Sequence, residues 1–202
     1  MKVKKQVIIA TKNKGKAKEF EELFSALNVE TLTLLDLDNA PDVEETGNTF
    51  EENATIKAEA ISNMTGKIVI ADDSGLVIDE LDGRPGIYSA RYAGEHKNDE
   101  ENIDKVLLEM KDVPDKKRTA RFFCALAVSG PNMDTMVVTG KCEGKILTER
   151  KGANGFGYDP IFFAIDPGKP MAELSSEEKN KISHRAAALN NLKPIINELF
   201  YR

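Results

Sequence analysis

Two adjacent acids, a hydroxyl and a glycine follow an apolar run in Lys67-Ile68-Val69-Ile70-Ala71-Asp72-Asp73-Ser74-Gly75. In an α/β fold, ligands bind in the crevice beyond the carboxyl ends of the strands. Hard oxygen donors at such a place suit Mg²⁺ carrying substrate phosphates. The same residue pair also serves as a plain turn or helix cap. Successive strand side chains point to opposite faces, so only one of Asp72 and Asp73 readily faces a crevice. Spacing alone does not say which.

Three further constellations bear on the same chemistry. Thr11-Lys12-Asn13-Lys14-Gly15-Lys16 joins an apolar strand to a helix start, where free backbone N–H groups and the helix dipole attract anions. It lacks the GxxxxGK[ST] pattern of a P-loop, and a solvated basic turn is the alternative. Glu44-Glu45-Thr46-Gly47 precedes a second helix start, with Lys57 inside that helix. Such a glutamate either complements the helix dipole or joins Asp73 on a metal. In Asn154-Gly155-Phe156-Gly157-Tyr158-Asp159-Pro160, glycines let the backbone approach a ligand and an aromatic face can stack on a base. An Ω-loop anchored by Phe156 and Tyr158 reads equally well. Finally, Ser183 can cap the last helix, placing His184 and Arg185 in its first turn, where cations oppose the dipole. With nearby Lys179 they can meet an anionic or keto-bearing ligand.

The elements that must position these residues follow from periodicity. Val7–Ala10 reads as a buried strand, and Phe20, Leu23, Phe24 and Leu27 place a helix over Gly15–Leu27. Val29–Leu35 suits a second strand. Thr49 with Glu52 is a capping-box pattern opening a helix to Met64. A strand over Lys67–Ala71 follows, then a Gly/Pro-bearing segment, Gly83–Tyr92, and a helix over Asn98–Met110. Ala120–Ser129, Thr135–Thr139 and Lys145–Leu147 read as strands, with Pro131-Asn132 turning the first two into an antiparallel hairpin. Ser175 with Glu178 opens a C-terminal helical region. Parallel βαβ beginnings with a later hairpin imply an α/β fold with a mixed sheet flanked by helices, in one domain over residues 1–202.

Bulk properties narrow the function classes. The chain has 202 residues, 41% hydrophobic and 31% charged, which is too apolar for disorder. Acids outnumber Lys plus Arg by 34 to 28, giving net −6, which argues against a nucleic-acid-coating protein. Cys124 and Cys142 lack the CxxC spacing of a zinc or redox site, favouring a reduced, intracellular setting. The apolar run behind the basic N-terminus is too short for a signal peptide, and no stretch approaches membrane-span length. The expectation is a cytoplasmic protein that binds neither membrane nor nucleic acid.

Taken in order, six motifs match a known pattern: Ala10-Thr11-x-Asn13-x-Gly15-Lys16, Glu45-Thr46-Gly47-x-Thr49-Phe50-x-Glu52-Asn53-Ala54, Ala71–Leu76, Pro85–Arg91, Gly155–Pro160 and Ser183-His184-Arg185. The chain resembles the inosine triphosphate pyrophosphatase family, over nearly its whole length. That family hydrolyses ITP, dITP and XTP to the monophosphate and pyrophosphate. The resemblance implies an elongated mixed sheet in two lobes with a nucleotide cleft between them, and a homodimer. By motif, Thr11, Lys12, Asn13, Lys14, Gly15 and Lys16 bind the phosphates, with Lys16 as the main cation. Glu44 and Asp73 hold Mg²⁺, and Asp73 is also the base that activates water. Ser74 contacts substrate; Phe156, Gly157, Tyr158 and Asp159 embrace base and sugar; Lys179, His184 and Arg185 complete the purine site. Lys12 and Lys14 fall at variable sites of the pattern.

This assignment suits the chemistry. Inosine and xanthine carry a 6-keto acceptor where adenine carries an amino donor, and His184 and Arg185 can present donors to it. An amino group there leaves them unpaired, at a cost of about 1–3 kcal/mol per buried group. Two rival readings follow from the same residues: a pyrophosphatase for other modified nucleotides, and a non-catalytic nucleotide-binding regulator. An RNA-binding module stacking on Phe156 and Tyr158 conflicts with the acidic balance.

Overall fold

A computed structural model describes residues 6–25, 29–37 and 40–201. The basic start Met1–Lys5 and the expected helix end at Leu27 lie outside the described residues. Among the described residues the strands are β1 (Gln6–Ile9), β2 (Glu30–Thr33), β3 (Val69–Ile78), β4 (Thr119–Ser129), β5 (Met136–Ile146), β6 (Phe162–Ala164) and β7 (Lys169–Pro170). The helices are α1 (Lys14–Ser25), α2 (Phe50–Thr65), α3 (Asp99–Glu109), α4 (Ser176–Ile182) and α5 (His184–Tyr201). No helix among these residues is long and apolar enough to cross a membrane.

The strands form one sheet in the order β2-β1-β3-β4-β5-β6-β7. β1 pairs parallel with β2 and β3, while β6 pairs antiparallel with β5 and β7. The sheet is therefore mixed, as the βαβ-then-hairpin pattern requires. Two expectations change. The strand expected to stop at Ala71 runs on to Ile78, so Asp72 and Asp73 sit in mid-strand. Leu76 and Ile78 are wholly buried, and their burial carries the extended backbone past the acids. Likewise the two short runs at Thr135–Thr139 and Lys145–Leu147 belong to one strand, β5, which continues through Gly140 and Gly144. A Cβ on Gly144 would lie 2.2 Å from the Phe162 ring, so the strand-weakening glycine is what admits β6's aromatic side chain.

Helix starts follow the capping residues. Thr49 Oγ accepts the Glu52 N–H (3.1 Å), but the Glu52 carboxylate accepts from Asn48 rather than Thr49 (2.7 Å). Ser175 and Glu178 form the full reciprocal box on α4. Ser183 Oγ accepts the Ala186 N–H (3.2 Å), which sets His184 and Arg185 in the first turn of α5.

The chain divides into two compact units. The first comprises Met1–Asp73, Cys124–Gly140 and Ala188–Arg202; the second comprises Ser74–Phe123 and Lys141–Ala187. Each has its own core. In the first, Val7, Ile9, Phe20, Phe24, Leu126, Leu189 and Leu192 pack together. In the second, Leu76, Ile78, Val106, Met110, Phe122, Ile161 and Phe162 do so. Burial of these apolar side chains, at about 25 cal/mol per Å², supplies the main driving force for each unit.

Candidate functional site

The first unit gathers acids and lysines. Asn13 Oδ1 accepts the Lys16 N–H (3.0 Å) and Thr11 Oγ1 accepts the Asn13 N–H (3.1 Å), so these two side chains shape the start of α1. Lys14 and Gly15 lie in its first turn, whose backbone N–H groups point out of the helix end. Lys12 extends to Asp42 (2.6 Å) at the surface. Lys16 instead turns inward and pairs with the fully buried carboxylate of Asp72. The other Asp72 oxygen lies 3.1 Å from Cys124 Sγ, which donates its S–H. Lys57 Nζ, from α2, donates to the Asp72 carbonyl (3.0 Å) and pairs with Glu45.

Asp73 is buried beside this group. Desolvation pushes its carboxyl up to about 6, with Glu45 and Asp72 adding to the rise while Lys16 and Lys57 oppose it. A buried carboxylate near two cations and two other acids is a pattern typical of catalytic acids and bases. Strand alternation separates the two aspartate side chains, yet long lysine stems from α1 and α2 reach the charge of both. Of the two adjacent glutamates, Glu45 is half-buried and coupled to Asp73, whereas Glu44 is exposed.

Asp73 and the Glu44–Glu45 turn supply hard oxygen donors that fit Mg²⁺. Among the described residues no group of three or more His, Cys, Asp or Glu side chains forms a ready metal cage. Mg²⁺ is commonly held by one or two carboxylates, with substrate phosphates and water completing the shell. A cavity of about 670 Å³ in the same unit is lined by Glu59, Ser62 and the turn after Ser129, and none of the candidate residues borders it.

The second unit gathers an aromatic ring and cations. Gly155 has φ +79°, and a Cβ there would lie 1.9 Å from Asp159 Oδ2. Only glycine lets the loop close over that carboxylate. Asp159 Oδ2 accepts the Phe156 N–H (2.9 Å) and pairs with Lys179 (2.6 Å), both side chains being at most 8% exposed. Phe156 meets Lys179 at 4.8 Å and Arg185 at 5.5 Å from its ring centroid. Arg185 also donates to Ser74 Oγ (2.7 Å). His184 stacks on Phe122, 5.0 Å between centroids and 20° between planes. Gly157 donates its N–H to Asp99 (3.0 Å). Tyr158 is buried and donates its hydroxyl to the Ser89 carbonyl (2.8 Å), the anchoring geometry of the Ω-loop reading.

The residues singled out in the sequence thus fall into two sets. Lys16 and Asp73 join one and Ser74, Phe156, Asp159, Lys179, His184 and Arg185 the other, while Lys12 and Glu44 face solvent. Nothing in the sequence marks Cys124, Phe122 or Ser89 as functional. The first two lie in an apolar run that reads only as core, and Ser89 lies in a motif whose spacing suggests no chemistry.

The Ham1 family profile matches residues 7–195. The dITP/XTP pyrophosphatase of Oceanobacillus iheyensis is 58% identical over 190 residues, 94% of this chain and 96% of that protein. That of Bacillus cereus is 57% identical over 198 residues, 97% of each chain. The solved Ham1 protein of Staphylococcus aureus superposes with a TM-score of 0.85 at 46% identity, covering 96% of this chain and all (100%) of that one. A HAM1 protein from Coxiella burnetii gives the same TM-score, 0.85, at 40% identity, with 96% and 99% covered. With the profile spanning nearly the whole chain and relatives this similar from end to end, the protein belongs to the Ham1 family.

Proposed function

We propose that this protein hydrolyses deaminated purine nucleoside triphosphates (ITP, dITP and XTP) to the monophosphate and pyrophosphate, clearing them from the nucleotide pool. The observation that carries the reading is Asp73: a buried carboxyl with its pKa near 6, set among Lys16, Lys57 and Glu45. Relatives named dITP/XTP pyrophosphatase support the substrate class.

The chemistry follows from the groups present. At neutral pH Asp73 is mostly ionised and is a stronger base than an ordinary aspartate, so it can take the proton from a water attacking the α–β phosphoanhydride. Water adds its oxygen to phosphorus, the bridging P–O bond breaks, and pyrophosphate leaves with the electron pair. Lys16 and Lys57 offset the charge that grows on the leaving group. Bound Mg²⁺ supplies charge neutralisation and orientation of the phosphates, and Asp73 with the Glu44–Glu45 turn would hold it. The segment from Thr11 to Lys16, which leads into the first turn of α1, binds the phosphate chain through backbone N–H groups.

Base choice belongs to the second set. Arg185, oriented by Ser74, and His184, braced on Phe122, present donors suited to a 6-keto oxygen. Phe156 and its neighbours Gly157, Tyr158 and Asp159 form the loop that receives base and sugar, and Lys179 holds Asp159. We take the working protein to be a cytoplasmic homodimer, which sedimentation velocity on purified protein tests.

The experiment is pyrophosphate release with Mg²⁺ from ITP and XTP against ATP and GTP. Preferred turnover of ITP or XTP to IMP or XMP plus pyrophosphate is the expected result. No turnover of any triphosphate overturns the catalytic reading. Turnover without 6-keto preference removes the roles given to His184 and Arg185.

A further inference from the structure

The motif Pro85–Arg91 has no role in the mechanism above, yet it contains a buried serine whose hydroxyl and main-chain carbonyl hydrogen-bond two other segments of the second unit. Gly86–Arg91 winds as a 3₁₀ segment, and Ser89 within it is only 7% exposed. Ser89 Oγ donates to the Gly86 carbonyl (2.6 Å) and accepts the Leu76 N–H (2.9 Å). Its own carbonyl accepts the Tyr158 hydroxyl (2.8 Å). Leu76 lies two residues beyond Ser74, whose Oγ receives Arg185. Tyr158 lies between Phe156 and Asp159 in the glycine-bearing loop.

We infer that Ser89 is a positioning residue for base recognition, joining the β3 segment that orients Arg185 to the loop that carries Phe156. It touches no substrate; it acts through Leu76 and Tyr158. Resting on the function proposed above, the inference adds a specificity role for the 3₁₀ segment. The physical reason is that both arms hang on buried, neutral hydrogen bonds. Removing the hydroxyl orphans the Leu76 N–H, and the strand or the 3₁₀ segment must shift to satisfy it. A shift of a few tenths of an ångström matters little to fold stability, but it misplaces donors that must meet one keto oxygen.

The test compares Ser89→Ala, Tyr158→Phe and the double variant with wild type. It reads KM and kcat for ITP and for ATP, with thermal midpoints alongside. Each single variant is expected to raise KM for ITP about fivefold, the loss of one net hydrogen bond, with kcat within about twofold because base contacts act alike in ground and transition states. ATP kinetics change less, so the ITP-over-ATP preference falls. The double variant loses less than the product of the singles, since both bonds hold the same 3₁₀ segment. Unchanged KM for ITP, or an equal loss with ITP and ATP, overturns the inference. If Ser89→Ala does not fold, Tyr158→Phe decides alone by the same criteria. Wild-type protein without ITP preference overturns the functional reading and this inference with it. Wild-type preference that survives both substitutions overturns this inference only.

Discussion

The acid–lysine group of the first unit and the aromatic–cation group of the second contain the same ingredients in opposite electrostatic states. In the second, Asp159 is neutralised by a buried partner, Lys179 at 2.6 Å, and accepts a backbone N–H as well. In the first, Asp73 has two lysines near it, but two further acids share them, and burial drives its carboxyl up to about 6. One carboxylate is satisfied and shapes a loop. The other is held in an unfavourable environment, where it can exchange a proton. Burying charge is compatible with either use; the ratio of cations to acids around it decides which.

The strongest test of that contrast is Asp73→Asn. It removes the base, and turnover is expected to fall by about 10²–10⁴-fold, as read by pyrophosphate release. It also has a stability signature whose sign can be worked out. The folded carboxyl, near 6, lies above its ordinary value of 3.8. The native state therefore binds more protons than the unfolded state between those values, and this group makes stability rise as pH falls through about 6 towards 4. Above pH 6 its destabilisation is complete, at most about 3 kcal/mol. The difference in unfolding free energy between wild type and Asp73→Asn should thus change across pH 4–6 and stay level above 7. A flat difference would refute the buried, up-shifted state.

Lys179→Met probes the satisfied member. It strands Asp159 as a buried unpaired charge and is expected to cost about 3–5 kcal/mol, a fall in Tm of roughly 10 °C for a chain of this size. Replacing both partners, Asp159→Asn with Lys179→Met, should recover part of the loss. Equal loss in the single and double variants would mean that the pair is not the hub of the loop.

Glu45→Gln against Glu44→Gln sharpens the comparison within the first unit. Glu45→Gln is expected to weaken the Mg²⁺ dependence of turnover by about 10–100-fold, and Glu44→Gln by distinctly less, because Glu45 is half-buried near Asp73 whereas Glu44 is exposed. The reverse ranking in a Mg²⁺ titration would favour Glu44, the ligand the family resemblance implies. Lys12→Ala should have the smallest effect on stability, within about 0.5 kcal/mol by chemical denaturation, since its pair with Asp42 is exposed.

Legibility in the sequence followed locality. The caps at Thr49, Ser175 and Ser183 read correctly because a cap involves residues two to four apart. The mixed sheet was legible because apolar runs and turn residues are local too. The end of β3 was not, since whether a strand passes through two acids depends on what neutralises them. Lys16 lies 56 residues before Asp72 and Cys124 lies 52 after it. Glu45 and Glu44 are chemically identical in sequence, and only the fold sets one towards Lys57.

By itself, then, the sequence determined the family, the order of elements, the carboxylate, lysine, aromatic and arginine inventory, and which residues start each helix. Those properties rest on motif order, periodicity and contacts within a few residues. Tertiary structure alone decided that Asp73 is the up-shifted acid, that Lys16 pairs with Asp72, that Asp159 is neutralised and that Ser89 joins two segments. Each of these depends on burial and on charges brought together from distant positions, and desolvation and Coulomb energy act through space rather than along the chain.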